Sequence, residues 1–317
     1  MDFENNYKSY PLVLIIVPNK DGINHLSYSL DSISKIKYPN FRVVVVDNCS
    51  NDDSVKYVRK TYPEVEIIQN KTDAGFSGSV NRGLLHGLNI NAEFLVVFSN
   101  DVRVHSQWLL SSVKALENRP ECGIAGFLEI SGTYYNSLLK MPSEIEIKRQ
   151  AYPNCAAIYI LRSKLIREVG LYDEGYYMYG EDNDFFYRCG GKGYLTLQTN
   201  IPVWHKGGGS SESISRQQMM TRYIYRNWLR FAVKNVNFRH LILTLIKMIA
   251  YAFLPNTFWK RKGVYRSVNR LVRFKLTYRI KCLIHAIFWN IANARSTKYV
   301  KCQEKKWIEK MQNKTMN

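Results

Sequence analysis

Carboxylates gather in this chain at places where chemistry could be done. The stretch Tyr179-Gly180-Glu181-Asp182-Asn183-Asp184-Phe185-Phe186 sets three acids within four positions, and Asp173-Glu174 stands just upstream. Like charges this close repel, so the arrangement calls for a use. Partial desolvation by Tyr177, Tyr179 and Phe185 would raise the pKa of a carboxylate here, and acidic neighbours push the same way. Asp47 and Asp101 each follow an apolar, strand-like run, and His205 lies between Trp204 and Lys206-Gly207-Gly208-Gly209. PNKDG follows the first run where a GxGxxG turn would stand, and no GxxxxGK[ST] loop occurs. Without those loops, a diphosphate can still be held through a divalent cation on carboxylate oxygens, and Asp101 suits that role. Structural uses remain open beside these. Asp47 with Ser50, and Asp101 ahead of Ser106, fit caps; Asp173-Glu174 fits a turn; Glu181 and Asp184 fit first-turn acids favoured by the helix dipole.

The elements that must position these residues follow from hydrophobic patterning. LVLIIV (12–17), FRVVVV (41–46), VEIIQ (65–69) and EFLVVF (93–98) are short apolar runs of the kind buried in parallel sheets. Helical patterns separate them: Leu26, Leu30 and Ile33 share one face, and further helices are expected through 53–60 and from the 70–79 loop to about 89. Strand and helix alternating at this spacing predict an α/β fold on an open, mainly parallel sheet, with ligands at the carboxyl ends of the strands. Asp47, the 70–79 loop and Asp101 all fall at those ends. Farther on, CGIAGFLEI, NCAAIYIL, YLTLQ and PVWH read as strands. SKLIREVG reads as a helix closed by Gly170, and EDNDFFYRCGG as one closed by Gly190-Gly191.

The charge divides the chain in two. Residues 1–220 carry 23 Lys+Arg against 24 Asp+Glu, whereas 221–317 carry 22 against only Glu304 and Glu309. SRQQMMTRYIYRNWLRFAV is helical in pattern. LILTLIKMIAYAFL (241–254) is 14 residues long and contains Lys247, short of the roughly 20 a spanning helix needs. WKRKGVYRSVNRLVRFKLTYRIKCLIHAIFW (259–289) interleaves bases with bulky apolar residues, the composition of a membrane-surface helix pair. A nucleic-acid partner would explain the bases but not the apolar residues between them, and no nucleic-acid module accompanies them. The domains are therefore expected at 1–215 and 216–317. The six cysteines form no CxxC pair, which fits a reducing compartment rather than a zinc site or disulfide framework. No basic segment followed by an apolar core opens the chain, so no secretory signal is expected and the catalytic part should be cytosolic.

From about residue 12 to about 230, the series IIVPNKDG, VVVVDNCSNDDS, NKTDAGFSGSVNRGL, FLVVFSNDV, GLYDEGYYMYGEDNDFFYRCGGKGY, VWHKGGGS and RYIYRNWL resembles the family 2 inverting glycosyltransferases. Within these it is most similar to bacterial rhamnosyltransferase-type enzymes of surface polysaccharide assembly. The resemblance implies a Rossmann-like, GT-A-type nucleotide-sugar domain followed by the basic helical region. It implies that Asp182 is the catalytic base, and that Asp101 and His205 hold a divalent metal, magnesium or manganese. Pro18, Asp47, Gly75, Phe76, Asn81, Arg82 and Asn100 would border the nucleotide. Asp173, Glu174, Glu181 and Trp204 would meet the acceptor. The chain departs from the family pattern at Ser99-Asn100-Asp101, where one carboxylate replaces an Asp-x-Asp pair, at Asp73 in place of Asn and at Cys155 in place of Gly. The implied donor is dTDP-rhamnose, with a UDP-linked galactofuranose or N-acetylglucosamine as the alternative. The implied acceptor is a polyprenyl-diphosphate-linked oligosaccharide, met at the anionic inner face of the inner membrane during O-antigen or capsule assembly. A non-catalytic partner of an assembly complex, keeping the fold without the chemistry, is the competing class.

Overall fold

The computed structural model describes residues 10–131, 140–150, 153, 157–206, 213–255, 274–298, 300, 304 and 306. The chain forms two compact units, Met1–Val169 with Cys189–Gly207, and Gly170–Arg188 with Gly208–Asn317. The sequence-based boundary at 215 places 170–188 with the catalytic half; by packing they group with the C-terminal helices.

The first unit opens β1 (Val13–Asn19), α1 (Ile23–Ser34), β2 (Phe41–Asp47), α2 (Ser54–Thr61), β3 (Glu66–Gln69), α3 (Gly75–Asn89), β4 (Phe94–Phe98). All seven residues of β1 and all five of β4 are buried, as expected for strands covered on both faces. The four strands pair in parallel in the order β3-β2-β1-β4. Their register sets Asn19 beside Asp47 and Asp47 beside Gln69, so the polar strand ends form a level rim. Gly83 lets α3 lie close on the sheet: a Cβ there would stand 2.2 Å from Cγ2 of Ile16.

Beyond β4 come β5 (Val102–Val104), α4 (Trp108–Glu117), β6 (Cys122–Ser131), β7 (Ile147–Gln150), β8 (Ile158–Arg162), α5 (Ser163–Val169), α6 (Glu181–Gly191) and β9 (Leu195–His205). The sheet continues β4-β8-β6-β9-β5, with β7 also on β9, and this half mixes parallel and antiparallel pairs. Two expectations need correction. YLTLQ and PVWH form one strand, because Pro202, which has no N–H to give a ladder, sits next to a register shift against β6 between Gly126 and Leu128. Helix α6 runs through Gly190 and Gly191, and the left-handed residue that follows is Gly193 (φ +83°). Among the described residues, Cys49, Cys122, Cys189 and Cys282 are free thiols; Cys155 lies outside them.

The second unit contains a 3-10 turn at Glu174–Tyr176, the start of α6, and the helices α7 (Ile214–Asn235), α8 (Phe238–Phe253) and α9 (Leu276–Ala292). Ser213 caps α7 by accepting from the Arg216 N–H, and Asn237 caps α8 by accepting from the His240 N–H. Tyr225 and Leu229 of α7 pack with Met248 and Ala252 of α8 and with Cys282, Leu283 and Ala286 of α9. The other face of α8 carries Phe238, Ile242, Ile246, Ile249 and Phe253, spaced four, four, three and four apart and 42–75 % exposed. On α9, Ile284, Phe288 and Ile291 are likewise exposed. Among the described residues no helix is long and apolar enough to cross a membrane.

Candidate active site

In the first unit the strand ends are braced to one another. Asn100, after β4, donates to the side-chain oxygen of Asn19 at 2.8 Å, and Asn19 donates to the Ser50 hydroxyl at 3.3 Å. The loop after β3 is anchored through Asn48, whose side-chain oxygen accepts from the Ala74 N–H and from Asn70. Its amide donates to Asp73 at 2.7 Å. Asp73 also receives the Gly75 N–H at 2.9 Å and pairs with Lys20 at 3.0 Å. The departure from Asn at 73 thus recruits a lysine from the loop after β1.

Asp47 is buried at the end of β2. One of its carboxylate oxygens takes the Ser50 N–H at 3.2 Å, so the turn-capping reading holds for that oxygen. The other, Oδ1, is buried without a partner among the described residues. An unsatisfied buried acceptor is costly unless a ligand donor completes it, and this one lies on the rim where a nucleotide is expected. Pro18 is buried beside Val46 on the adjacent strand. Gly75 starts α3, Phe76 is half-buried beside it, Asn81 is buried farther along and Arg82 is exposed.

Asp101 and His205 come together because β5 pairs antiparallel with β9, setting Val102 opposite His205. The His205 Nε2 lies 3.3 Å from Asp101 Oδ2, and its Nδ1 lies 2.8 Å from Glu129 Oε1 on β6. Burial opposes charge on this imidazole, but the two carboxylates outweigh it and push the His205 pKa up to about 9. Glu129 fixes the ring from behind, in the way that metal-ligating histidines are held, which leaves Nε2 and Asp101 facing one another. These two would be the protein ligands of a divalent cation, which would supply charge stabilisation to a diphosphate. The fit is a pair rather than a cage: among the described residues no group of three or more His, Cys, Asp or Glu could hold a metal ion by itself. Nothing in the alternation of GIAGFLEI signals Glu129; only the strand register brings it to His205. Trp204 is 3 % exposed, so it supports β9 and is not available to an acceptor.

In the second unit the acids separate by environment. Asp173 is buried, with its carboxylate bonded to Arg230 at 2.8 and 3.1 Å, Lys234 at 3.2 Å and the Gly175 N–H at 2.9 Å. That occupancy removes it from the acceptor-binding set; Glu174 beside it is exposed. Asp184 is also internal, paired with Arg188 at 2.9 Å and Lys234 at 3.0 Å. Burial raises its pKa, but those cations hold it below the usual carboxylate range. Glu181 and Asp182 differ in having no cation paired with them among the described residues. Glu181 is buried with Oε2 unpartnered among the described residues, and burial together with the Asp182 charge pushes its pKa up to about 8. Asp182 is half-buried, its Oδ1 accepting from the Asn183 N–H at 2.8 Å, and desolvation raises its pKa. A half-buried carboxylate without a counter-ion is what a general base requires.

Residues 14–159 match the family model described as glycosyl transferase family 2. An uncharacterised glycosyltransferase of Haemophilus influenzae is 26 % identical over 303 residues, 89 % of this chain and 92 % of its own. An N-acetylglucosaminyl-diphospho-decaprenol L-rhamnosyltransferase of Mycobacterium tuberculosis is 25 % identical over 214 residues, 55 % of this chain and 68 % of its own. In fold, the chain is similar to a mannosyltransferase of Pyrobaculum calidifontis solved with GDP-mannose and Mn2+ (TM-score 0.58, 17 % identity, 90 % of this chain and 88 % of that one). The GT-A-type α/β architecture, the family model matched over residues 14–159 and the glycosyltransferase relatives agree, and this chain is similar to the glycosyltransferases of family 2.

Proposed function

We propose that this glycosyltransferase uses a nucleotide-diphosphate sugar, dTDP-rhamnose before UDP-linked sugars, and transfers the sugar with inversion to a polyprenyl-diphosphate-linked glycan in O-antigen or capsule assembly. The preference for rhamnose is supported by the rhamnosyltransferase relative, whose name also carries a lipid-diphosphate acceptor. The carrying observation is the contrast within α6: Asp184 is neutralised by cations, while Asp182 next to Glu181 has none among the described residues and is held with a raised pKa. Asp182 accepts the proton of the attacking acceptor hydroxyl at its carboxylate as the new bond to the anomeric carbon forms and the nucleoside diphosphate departs. An oxocarbenium-like transition state makes that proton transfer useful. Asp47 Oδ1 receives a donor group of the nucleotide, and the turn holding Asn48, Asp73 and Gly75 shapes the pocket around it. Asp101 and His205 Nε2 would hold a divalent cation, magnesium or manganese; when bound it stabilises charge on the departing diphosphate.

The second unit supplies the membrane part of the reading. The exposed apolar stripe of α8, with no acid on α8 or α9 and basic residues at Arg239, Lys247, Lys275 and Lys281, suits shallow insertion into an anionic bilayer surface. It supports a peripheral position on the inner face of the inner membrane, where a lipid-linked acceptor would be met. The deciding experiment is Asp182→Asn in a transfer or donor-hydrolysis assay with dTDP-rhamnose, with and without Mn2+. Transfer should be lost while donor binding persists; a nearly active variant overturns the assignment.

A further inference from the structure

We propose that Asn227, seconded by Arg226, is a positioning residue for Asp182, acting through the aromatic turn Tyr176–Gly180. The inference rests on Asp182 being the base. The turn has an uncommon backbone. Tyr177 has φ +62° and ψ −57°, with the Met178 N–H donating to the Tyr176 carbonyl at 2.7 Å, which is a γ-turn of the rare, strained hand. Tyr179 (φ +67°) and Gly180 (φ +98°) are left-handed as well. Residues with a Cβ avoid this region, and such strain persists only where the surroundings over-determine it.

The surroundings are two adjacent side chains of α7. The Asn227 amide nitrogen faces three carbonyl oxygens of the turn: Tyr176 at 3.0 Å, Met178 at 2.7 Å and Tyr179 at 2.6 Å. An amide has two N–H groups, so the three acceptors share them and draw the turn around a single nitrogen. The opposite end of the amide is fixed too, because Arg226 Nε donates to the Asn227 oxygen at 2.8 Å. Arg226 Nη2 adds bonds to the Gly175 and Tyr176 carbonyls at 3.1 and 2.5 Å. Its guanidinium lies 4.5 Å from the ring centre of Tyr223 and 4.4 Å from that of Trp289. Tyr177 in turn stacks on Tyr223, with ring centres 5.3 Å apart and 17° between planes. Glu181 and Asp182 follow Gly180 with no intervening residue, and the Asp184 N–H already bonds to the Gly180 carbonyl at 3.1 Å. The turn therefore fixes where α6 begins, and with it the direction and desolvation of Asp182.

The test uses the full chain with Asn227→Ala and the milder Arg226→Lys, beside Asp182→Asn as a control. Hydrogen exchange of amides 176–186 should quicken at least tenfold in Asn227→Ala, with β1–β4 and α8 unchanged. Turnover of dTDP-rhamnose should fall at least tenfold in kcat with KM for the donor within about threefold. The acid limb of the pH profile should move to lower pH, because water admitted around Asp182 lowers its pKa. Should Asn227→Ala fail to fold, Arg226→Lys decides, with the same signs and smaller size. Unchanged exchange and an unmoved pH limb, alongside an inactive Asp182→Asn, overturn the positioning role and leave the base intact. A nearly active Asp182→Asn overturns both.

Discussion

Arg230→Met tests how the second unit is held together. Arg230 is 1 % exposed and Asp173 is 2 % exposed. The guanidinium fork meets both Asp173 oxygens, at 2.8 and 3.1 Å, and its remaining nitrogen donates to the Thr297 hydroxyl at 2.7 Å. The planes of Tyr176 and Trp289 lie near it, with ring centres at 5.6 and 5.5 Å. Removing one partner of a buried pair costs about 3–5 kcal/mol, because the other charge stays desolvated. Lys234 remains 3.2 Å from Asp173, so the lower end applies, about 3 kcal/mol. With a urea dependence of about 2 kcal/mol per molar, the midpoint followed by the helix signal at 222 nm should drop by about 1.5 M. If the stranded carboxylate is the cause, adding Asp173→Asn to Arg230→Met should recover a good part of the loss. A midpoint within about 0.3 M of the parent (scaled by the same slope), or no recovery in the double variant, would refute the reasoning.

Three further outcomes are expected. Glu181 has its folded pKa at about 8, raised from an ordinary value of 4.5, so between those values the folded chain holds a proton that the unfolded chain releases. Stability should therefore fall as pH rises from about 5 to 8, by at most about 1.4 kcal/mol per pH unit; urea midpoints of Glu181→Gln should lack this slope. Glu129→Gln, which weakens the hold on His205 Nδ1, should lower Mn2+ affinity in the presence of nucleotide about tenfold or more. Calorimetry reads this, and unaltered affinity would deny the cation site at Asp101 and His205. Ile246→Glu with Phe253→Glu should abolish flotation of the chain with anionic vesicles at low salt while far-UV circular dichroism is unchanged. Equal flotation would dismiss the α8 stripe as a lipid-facing surface.

The parallel half of the sheet was readable because its information is local: four apolar runs, each ending in a polar cluster, fix β1 to β4 and place Asp47 and Asp101 at the rim. Helices α1 to α3 and α7 carried their own periodicity. What the sequence could not reveal depends on register and long-range pairing. β5 and β7 are three and four residues long, too short to show alternation. Glu129 meets His205 only through β6 and β9. The fate of the acids was legible in part: Asp184 reads as a structural first-turn acid and is one. Asp173 reads as an acceptor contact, yet its partners Arg230 and Lys234 stand 57 and 61 residues away, beyond any local pattern. The same distance hid Asn227, which stands in RYIYRNWL as an ordinary helical polar residue.

The grouping of Gly170–Arg188 with the C-terminal helices bears on how the enzyme could be shortened. A chain ended after Gly207 would look on paper like a minimal transferase. It would deprive Asp173 of both its cations and Asp184 of Lys234 and Asn235, and the turn ahead of Asp182 of its clamp. The basic third is thus no detachable anchor: the fragment lacking it would keep the strand-end rim of the first unit and lose the scaffold beneath Asp182.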